Sequence, residues 1–376
     1  MRIVHLVADW RWTGPAAPAV ELASCEAAAG ARVTLVCGAR PAGVSGAHLP
    51  ERASALGLTD VRTFRLGSNV SCWRNLLLSE ALRSMVRHDR PDAVHVHDSF
   101  GHLLALWGLR RLRDRPVLVR SNHRADPMNA RAGERFLARR CAGLLECSAR
   151  AAEADRAAFP ALAPRIAHAF GGVDLERFRP GRSESVRANW GIAQGEFLFG
   201  AVARIQARRR FDVLLEAFKR VRAEAPLARL AILGRGSREK QVAFEPAEGL
   251  GISKAVVFPG YVTDSYEETL RSFDAGVFLM PGTDGSCRAA REMMATGLPV
   301  AGFAAGILPE ILPEGGGTAV FPDPAALAAA MLEILRDPAA RKTRGEAARA
   351  FAEKYFRWED VVKTAFGLCE AGRSMA

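Results

Sequence analysis

Residues Pro281–Leu312 read PGTDGSCRAAREMMATGLPVAGFAAGILPEIL. An apolar run, Ala275–Leu279, enters this stretch as a strand, and a loop with Gly282 and Gly285 turns it into a helix over Arg288–Ala295. Gly297-Leu298-Pro299 then stops the helix and opens a second apolar strand. The backbone amides of Ser286, Cys287 and Arg288 fall at the helix N-terminus, where partial positive charge suits a phosphate. Asp284 precedes that helix and Glu292 lies inside it. Taken singly, a glycine-rich strand-to-helix turn reads equally well as a tight turn in any α/β protein.

The same alternation extends in both directions. Upstream, strands are predicted at Ile3–Ala8, Val33–Cys37, Val61–Arg65, Ala93–His97, Val117–Arg120 and Leu144–Cys147, with helices such as Ala16–Ala29 and Trp73–Arg87 between them. A second series follows Pro180: Phe197–Ala203, Leu230–Leu233, Val256–Phe258, Ala275–Leu279 and Pro299–Ala301, with a helix at Asp212–Glu224. The segment GGVDLERFRPGRSES between the two series has the composition of a linker. A chain of 376 residues suits two cores better than one. The expected division is 1–172, 173–355 and a terminal helix, 356–376, folding back onto the first domain. Two doubly wound parallel sheets would face a cleft at their strand C-termini, where such sheets bind ligands.

Charge is uneven along the chain. Residues 1–172 carry 24 Arg, no Lys and 15 acidic residues, a balance of +9, against +2 for the remainder. Arg110, Arg111, Arg113 and Arg115 form one cluster. Such an excess attracts phosphates on an anionic lipid surface or an acidic acceptor, and it equally describes a solvated face. No nucleic-acid-reading motif accompanies it, so nucleic acid is not an expected partner. No apolar stretch approaches the roughly 18 residues of a membrane span. Asp9 and Arg11 follow the first apolar run too closely for a secretory signal, which gives a cytoplasmic expectation. The seven cysteines show neither a CxxC pair nor zinc spacing, and they read as buried small hydrophobes.

All eight histidines lie within residues 1–168. His95 and His97 alternate with Val94 and Val96 on one strand face, and His95 reads best as a structural histidine. His97 and His123 sit near strand ends that should face ligand. Neither has metal-ligand spacing, and no convincing metal-binding DxD loop is present.

The Pro281–Leu312 run resembles the donor-binding signature of the retaining GT-B glycosyltransferases of family 4: Glu-Gly-Phe-Gly, Glu-Ala-Met-Ala, Gly-Leu-Pro-Val. Asp284 and Glu292 have the spacing of its two acids; Met294, Ala295, Gly297, Leu298, Pro299 and Val300 match, as do Gly306 and Glu310 beyond. Asp284 replaces the first Glu, Ser286 and Cys287 replace Phe-Gly, and Met293 replaces Ala. GAVARIQARRRFDVLLEAF is similar to the family's Gly-x-x-x-Arg-Leu, Lys-Gly and long helix. Arg204 stands at the donor-phosphate arginine, and Arg209 at the lysine, with Arg208 or Arg210 as alternatives. LAILGRG, with Gly234, resembles the following Gly-x-Gly turn, and DAVHVHDSF, LVRSNH and FGGVDLERFRP match front-half motifs in order. The glycine loop near the N-terminus is poorly matched, with only Gly14 between Thr13 and Pro15.

The resemblance implies two Rossmann-like domains in the GT-B arrangement, and sugar transfer from a nucleotide-sugar donor to a saccharide or lipid-linked acceptor, with retention and without metal or other cofactor. It implies catalytic roles for His123, Asp284, Arg204 and Arg209. Gly285, Ser286, Cys287, Arg288, Glu292 and Gly234 would bind donor, while Gly14 and His97 would lie on the acceptor side. Fixed cations stabilise the charge growing on a departing diphosphate. A nucleotide-sugar epimerase of the same architecture and a non-catalytic nucleotide-sugar-binding protein are the alternatives. The sugar, base, acceptor and oligomeric state are not legible in the sequence.

Overall fold

The computed structural model describes residues 1–43, 48–65, 72–282 and 285–374, and the side chains of 72–74 are left aside. The chain divides into two compact units, Met1–Gly172 with Trp358–Ala376, and Val173–Arg357.

In the first unit the strands are β1 (Arg2–Val7), β2 (Arg32–Gly38), β3 (Val61–Phe64), β4 (Ala93–Val96), β5 (Val117–Asn122), β6 (Gly143–Glu146) and β7 (Ile166–His168). They pair in the order β3-β2-β1-β4-β5-β6-β7, every pair parallel. In the second unit β8 (Phe197–Val202), β9 (Ala228–Leu233), β10 (Val256–Gly260), β11 (Ala275–Phe278), β12 (Val300–Phe303) and β13 (Gly317–Val320) follow the order β10-β9-β8-β11-β12-β13, again parallel. Each sheet therefore reverses its winding once, between β1 and β4 and between β8 and β11. Loops leaving the strand C-termini part at these places and open a crevice.

Sheets covered by helices on both faces demand continuous apolar strands, and the central ones comply. In β8 the residues Leu198, Phe199 and Ala201 are buried, and in β11 Ala275 and Val277. The helix Phe211–Glu224 buries Phe211, Leu214, Leu215, Phe218 and Val221, the spacing of one helical face. Each large side chain so buried contributes roughly 1.5–3 kcal/mol.

The strands read from sequence are present within a residue or two at their ends. Two more, β7 and β13, carry only three and four residues, and β13 is half-exposed along its length. Neither is a run of large apolar residues, which is why the sequence does not mark them. The stretch 171–183 has no regular secondary structure, and the helix Glu184–Asn189 begins at its end. Within the second unit, Val173 N–H donates to Phe356 C=O at 2.8 Å. The terminal helix Trp358–Arg373 belongs to the first unit, where Val361, Val362, Ala365, Leu368 and Cys369 pack with Ile3, Val119 and Leu145. Gly172 has to be glycine, because a Cβ there would collide with the Trp358 ring.

Candidate functional site

At the front switch point, β1 and β4 run in register with His5 opposite His95. His97 follows β4 and lies two residues beyond His95, and His123 follows β5. Period-two alternation puts these side chains on one face of the sheet. His5, His95 and His97 are buried, and His123 is half-buried. They are linked: His5 Nε2 lies 2.8 Å from Glu26 Oε2, His5 Nδ1 lies 2.9 Å from His97 Nε2, and His97 Nδ1 lies 3.1 Å from His123 Nε2. The His5 and His97 rings are 13° from parallel with centroids 5.2 Å apart, and His97 and His123 are 14° and 5.3 Å. With nitrogens about 3 Å apart in each pair, such rings meet edge to edge rather than face to face. His95 branches off through a 2.7 Å contact from Nε2 to Ser121 Oγ.

Burial pushes His95 and His97 well below the usual histidine range, reinforced by neighbouring imidazoles and by Arg120, so both are neutral. Nitrogens of His5, His95 and His97 lie within 4.8 Å of one another, the spacing of a potential metal cluster. Two zinc-bound nitrogens sit about 3.4 Å apart, from Zn–N near 2.1 Å. The 2.9 Å pair here is instead a hydrogen bond, so the cluster is read as a network of imidazoles.

At the second switch point, Arg204 leaves the end of β8 and is exposed. Its backbone is clamped by the turn after β9. Ala203 N–H donates to Leu233 C=O at 3.0 Å and Ile205 N–H to Arg235 C=O at 3.2 Å. A Cβ on Gly234 would collide with the Ala203 carbonyl, and one on Gly236 with that of Ile205. The Gly-x-Gly turn therefore exists to let two backbones touch on either side of Arg204.

Arg209 ends a short 3₁₀ turn, and its Nη1 donates to Met280 C=O at 2.8 Å, in the loop after β11. A Cβ on Gly282 would come within 2.8 Å of the Arg209 Nη2, so this loop keeps glycine where the guanidinium lies against it. Arg210 is left-handed, φ +63°, and pairs with Asp212.

Beyond Gly285, Cys287 caps the helix Arg288–Ala295 at φ +49°, the position where the related signature carries glycine. Its side chain is buried, with Sγ 3.6 Å from Ala305 C=O. The buried Arg291 donates from Nε to Ser286 C=O at 2.9 Å and from Nη2 to Ser286 Oγ at 3.2 Å, fixing the turn from behind. Glu292 is 5% exposed. One of its oxygens accepts from Tyr266 Oη at 3.0 Å and the other from Arg288 Nε at 2.8 Å. Burial and the adjacent carboxylate raise the Tyr266 phenol well above its usual value, so it stays a donor. Each carboxylate oxygen keeps a further lone pair for a ligand. Tyr266 is itself preceded by a left-handed residue, Ser265, φ +57°.

The second switch point thus gathers Arg204, Arg209, Gly234, Gly285, Ser286 and Cys287 on loops and turns, with Arg288 and Glu292 on the helix that follows, at one end of the sheet. Asp284 lies outside the described residues. In the first unit His97 and His123 come together, and Gly14 stands in the turn opening the helix Ala16–Ala28. Sequence reading did not find His5, Glu26, Tyr266 or Arg291. Only His5 carried a signal, a polar residue in an apolar strand. Arg111, Arg113 and Arg115 line a recess of about 610 Å³ with Arg87, Arg90 and Arg373. This recess adjoins Asp92 and Val117, at the strand N-termini, the sheet edge opposite His97 and His123.

A family model described as Glycosyltransferase Family 4 matches residues 13–177, and one described as Glycosyl transferases group 1 matches residues 182–351. The chain is 28% identical over 209 residues to the GDP-mannose-dependent monoacylated alpha-(1-6)-phosphatidylinositol monomannoside mannosyltransferase of Corynebacterium glutamicum, covering 52% of this chain and 54% of that protein. It is 32% identical over 203 residues to the D-inositol 3-phosphate glycosyltransferase of Geodermatophilus obscurus, covering 51% and 44%. The chain spans about half the length of the curated relatives it matches. The crystal structure of Anabaena HepE in complex with UDP superposes with a TM-score of 0.81 at 17% identity, covering 99% of this chain and 100% of that one, a likeness of fold. Matched in chain order across both of its halves, and built on the paired parallel sheets described above, the chain belongs to the GT-B glycosyltransferases of family 4.

Proposed function

We propose that the chain transfers a hexose from a nucleotide-diphosphate sugar to a saccharide or lipid-linked acceptor, with retention and without metal, in synthesis of a cell-envelope glycan such as lipopolysaccharide. The observation that carries this reading is the clamped backbone at Arg204, with the Arg209 guanidinium held on the Met280 carbonyl, both at the second switch point. The Arg209 guanidinium is held by the Met280 carbonyl and the Arg204 backbone by the Gly-x-Gly turn, and two such cations would meet the charge growing on a departing diphosphate. The turn before Arg288 adds amides at a helix N-terminus. Glu292, oriented by Tyr266 and Arg288, takes ribose hydroxyls, and Asp284 takes hydroxyls of the transferred sugar. The acceptor hydroxyl attacks from the face that the diphosphate leaves.

Two relatives carry names that speak of GDP-mannose and of inositol 3-phosphate, and the HepE structure holds UDP. These support a nucleotide-sugar donor and an acceptor bearing phosphate. The excess of arginine in residues 1–172 fits such an acceptor, and it fits docking on the anionic inner face of a membrane from the cytoplasm. No helix among the described residues is long and apolar enough to cross a bilayer.

The test is a panel of nucleotide sugars scored for donor hydrolysis and for transfer, with and without EDTA. Transfer that survives the chelator is expected. Complete loss restored by a divalent ion would sink the metal-free mechanism. Interconversion of nucleotide sugars without transfer would favour an epimerase.

A further inference from the structure

The recess of about 610 Å³ at the strand N-termini of the first unit is lined by six arginines against two acids, Asp92 and Asp114, a net charge of +4. Buried Val86, Leu112 and Val117 supply its apolar wall. We propose that this recess binds a group carrying two or more adjacent phosphates, whether a free oligophosphate or the headgroup of a lipid. The inference does not depend on the sugar-transfer reading.

The charges of the recess are not balanced from within. Asp92 accepts from Arg2 N–H at 2.7 Å and pairs with Arg373 Nη1 at 3.2 Å, so it is already engaged. Arg115 turns back on the chain, donating from Nε to Leu112 C=O at 3.1 Å and from Nη2 to Arg110 C=O. Among the described residues, the guanidiniums of Arg87, Arg90, Arg111 and Arg113 have neither an acceptor nor a carboxylate partner. Like charges gathered in this way repel one another. Desolvation, and then the charges of Arg111, Arg87 and Arg110, lower the pKa of nearby Arg83. A phosphate monoester carries about −1.5 to −2 near pH 7, so four unmatched guanidiniums call for two phosphates. The planar guanidinium also suits their oxygens, which accept two parallel N–H bonds from one fork.

The volume is that of a site for a small molecule. No aromatic side chain lines it, so a nucleobase would find no stacking face and recognition falls on the phosphates. Arg90 adds a backbone signal. Among the described residues of the first unit, it is the one that is not glycine and has positive φ, +46°. Glycine would take this conformation freely, yet the position keeps a guanidinium at the recess. Strands β4 and β5 are four and six residues long and put roughly 13–20 Å between the recess and the His97 and His123 end of the sheet. A ligand here is therefore separate from one bound at the front switch point.

Calorimetry with inorganic tripolyphosphate on the full chain, at about 0.15 M salt, tests the site. Three proteins are compared: wild type, Arg204→Ala, and a triple variant, Arg87→Ser with Arg111→Ser and Arg113→Ser. The three substituted side chains are exposed, so the triple variant should melt with wild type. One tripolyphosphate per chain is expected to bind, to survive Arg204→Ala, and to weaken at least about tenfold in the triple variant. Nucleoside diphosphate affinity should stay at its wild-type value there. Arg90→Gly removes the fourth guanidinium and relaxes the backbone, so it should weaken tripolyphosphate with no loss of melting temperature. Absence of binding, or binding that Arg204→Ala abolishes and the triple variant keeps, would overturn the site. Phosphatidylcholine vesicles doped with diacylglycerol pyrophosphate, beside vesicles of equal charge made with phosphatidylglycerol, identify the source. Preference for the pyrophosphate lipid, lost in the triple variant, assigns the phosphates to a lipid. Tripolyphosphate binding without that preference assigns them to a free oligophosphate. Equal binding to both vesicles with no stoichiometric tripolyphosphate would mean a solvated basic face only, and the site falls.

Discussion

The two sheets share a winding order and fill its reversal with opposite chemistry. Between β1 and β4 stand buried imidazoles, with His5 bonded to His97 and with His95 and His97 held neutral by burial. Between β8 and β11 stand guanidiniums and a carboxylate, with Arg204 exposed and Glu292 held by Tyr266 and Arg288. Desolvation explains the split. An imidazole gives up its proton when buried, whereas a guanidinium keeps its charge and is suited to a ligand that brings its own. The backbones differ accordingly. Among the described residues, four that are not glycine have positive φ, and three of them, Arg210, Ser265 and Cys287, directly precede helices at the second switch point. Strain of this kind, of order 1 kcal/mol or more per residue, gathers where ligand geometry outranks stability.

If the second switch point handles charge, Arg204→Ala should slow transfer a hundredfold or more, about the cost of one aimed electrostatic stabiliser. Because that side chain is exposed, the melting temperature should hardly move. Equal activity in the variant removes Arg204 from the donor site. The proposed roles of the two acids can be told apart. Asp284→Asn is expected to cut transfer strongly and leave nucleoside diphosphate affinity intact, since the diphosphate lacks the sugar. Glu292→Gln should weaken the diphosphate itself, by roughly tenfold for one charge-assisted hydrogen bond. Calorimetry on both variants decides; the opposite pattern reverses the assignment.

A smaller effect is expected from the front unit's surface. Replacing Arg110, Arg111, Arg113 and Arg115 by Ser together should weaken binding to anionic vesicles at low salt. Wild-type binding should fade as ionic strength brings the screening length to about 8 Å. Vesicle binding unchanged by the four substitutions would clear this cluster of a membrane role.

Much of the second switch point was legible because its constraints are local in sequence. The turn Gly285–Arg288, the Gly-x-Gly at 234–236 and Arg204 each sit in a short sequence pattern. Left-handed Cys287 was visible only as a departure and left-handed Arg210 not at all, since an L-residue says nothing of its φ. The front switch point was far less legible. His5 and His97 are 92 residues apart, and Glu26 lies on a helix with no polar pattern to mark it. A sequence gives the order of such groups but not the register that brings β1 beside β4. The strands β7 and β13 were lost because neither is an apolar run: Ile166-Ala167-His168 has one large apolar residue, and Gly317–Val320 follows two further glycines.

The smallest expected effect separates burial itself from the network. His102 lies on the helix Ser99–Leu109, fully buried, and neither ring nitrogen has a hydrogen-bond partner among the described residues. Burial lowers its pKa to about 3, helped by Arg120, and its place in the helix's first turns also disfavours a cation. Unlike His97, it is bonded to no neighbouring ring. His102→Leu should therefore stabilise the protein by about 1 kcal/mol near pH 7, through removal of unsatisfied nitrogens. The sign with pH is fixed by the depressed value. The unfolded histidine binds a proton below about pH 6.5 and the folded one does not, so wild-type stability falls as pH drops through that region. The leucine variant escapes this loss, and its advantage should widen by about 1.4 kcal/mol for each further pH unit, down to the folded pKa. Urea unfolding of both proteins near pH 7 and near pH 5 measures the gap. A variant that is less stable at both, with parallel pH dependence, would mean that His102 has a partner the geometry does not reveal, and the contrast with the bonded histidines would fall with it.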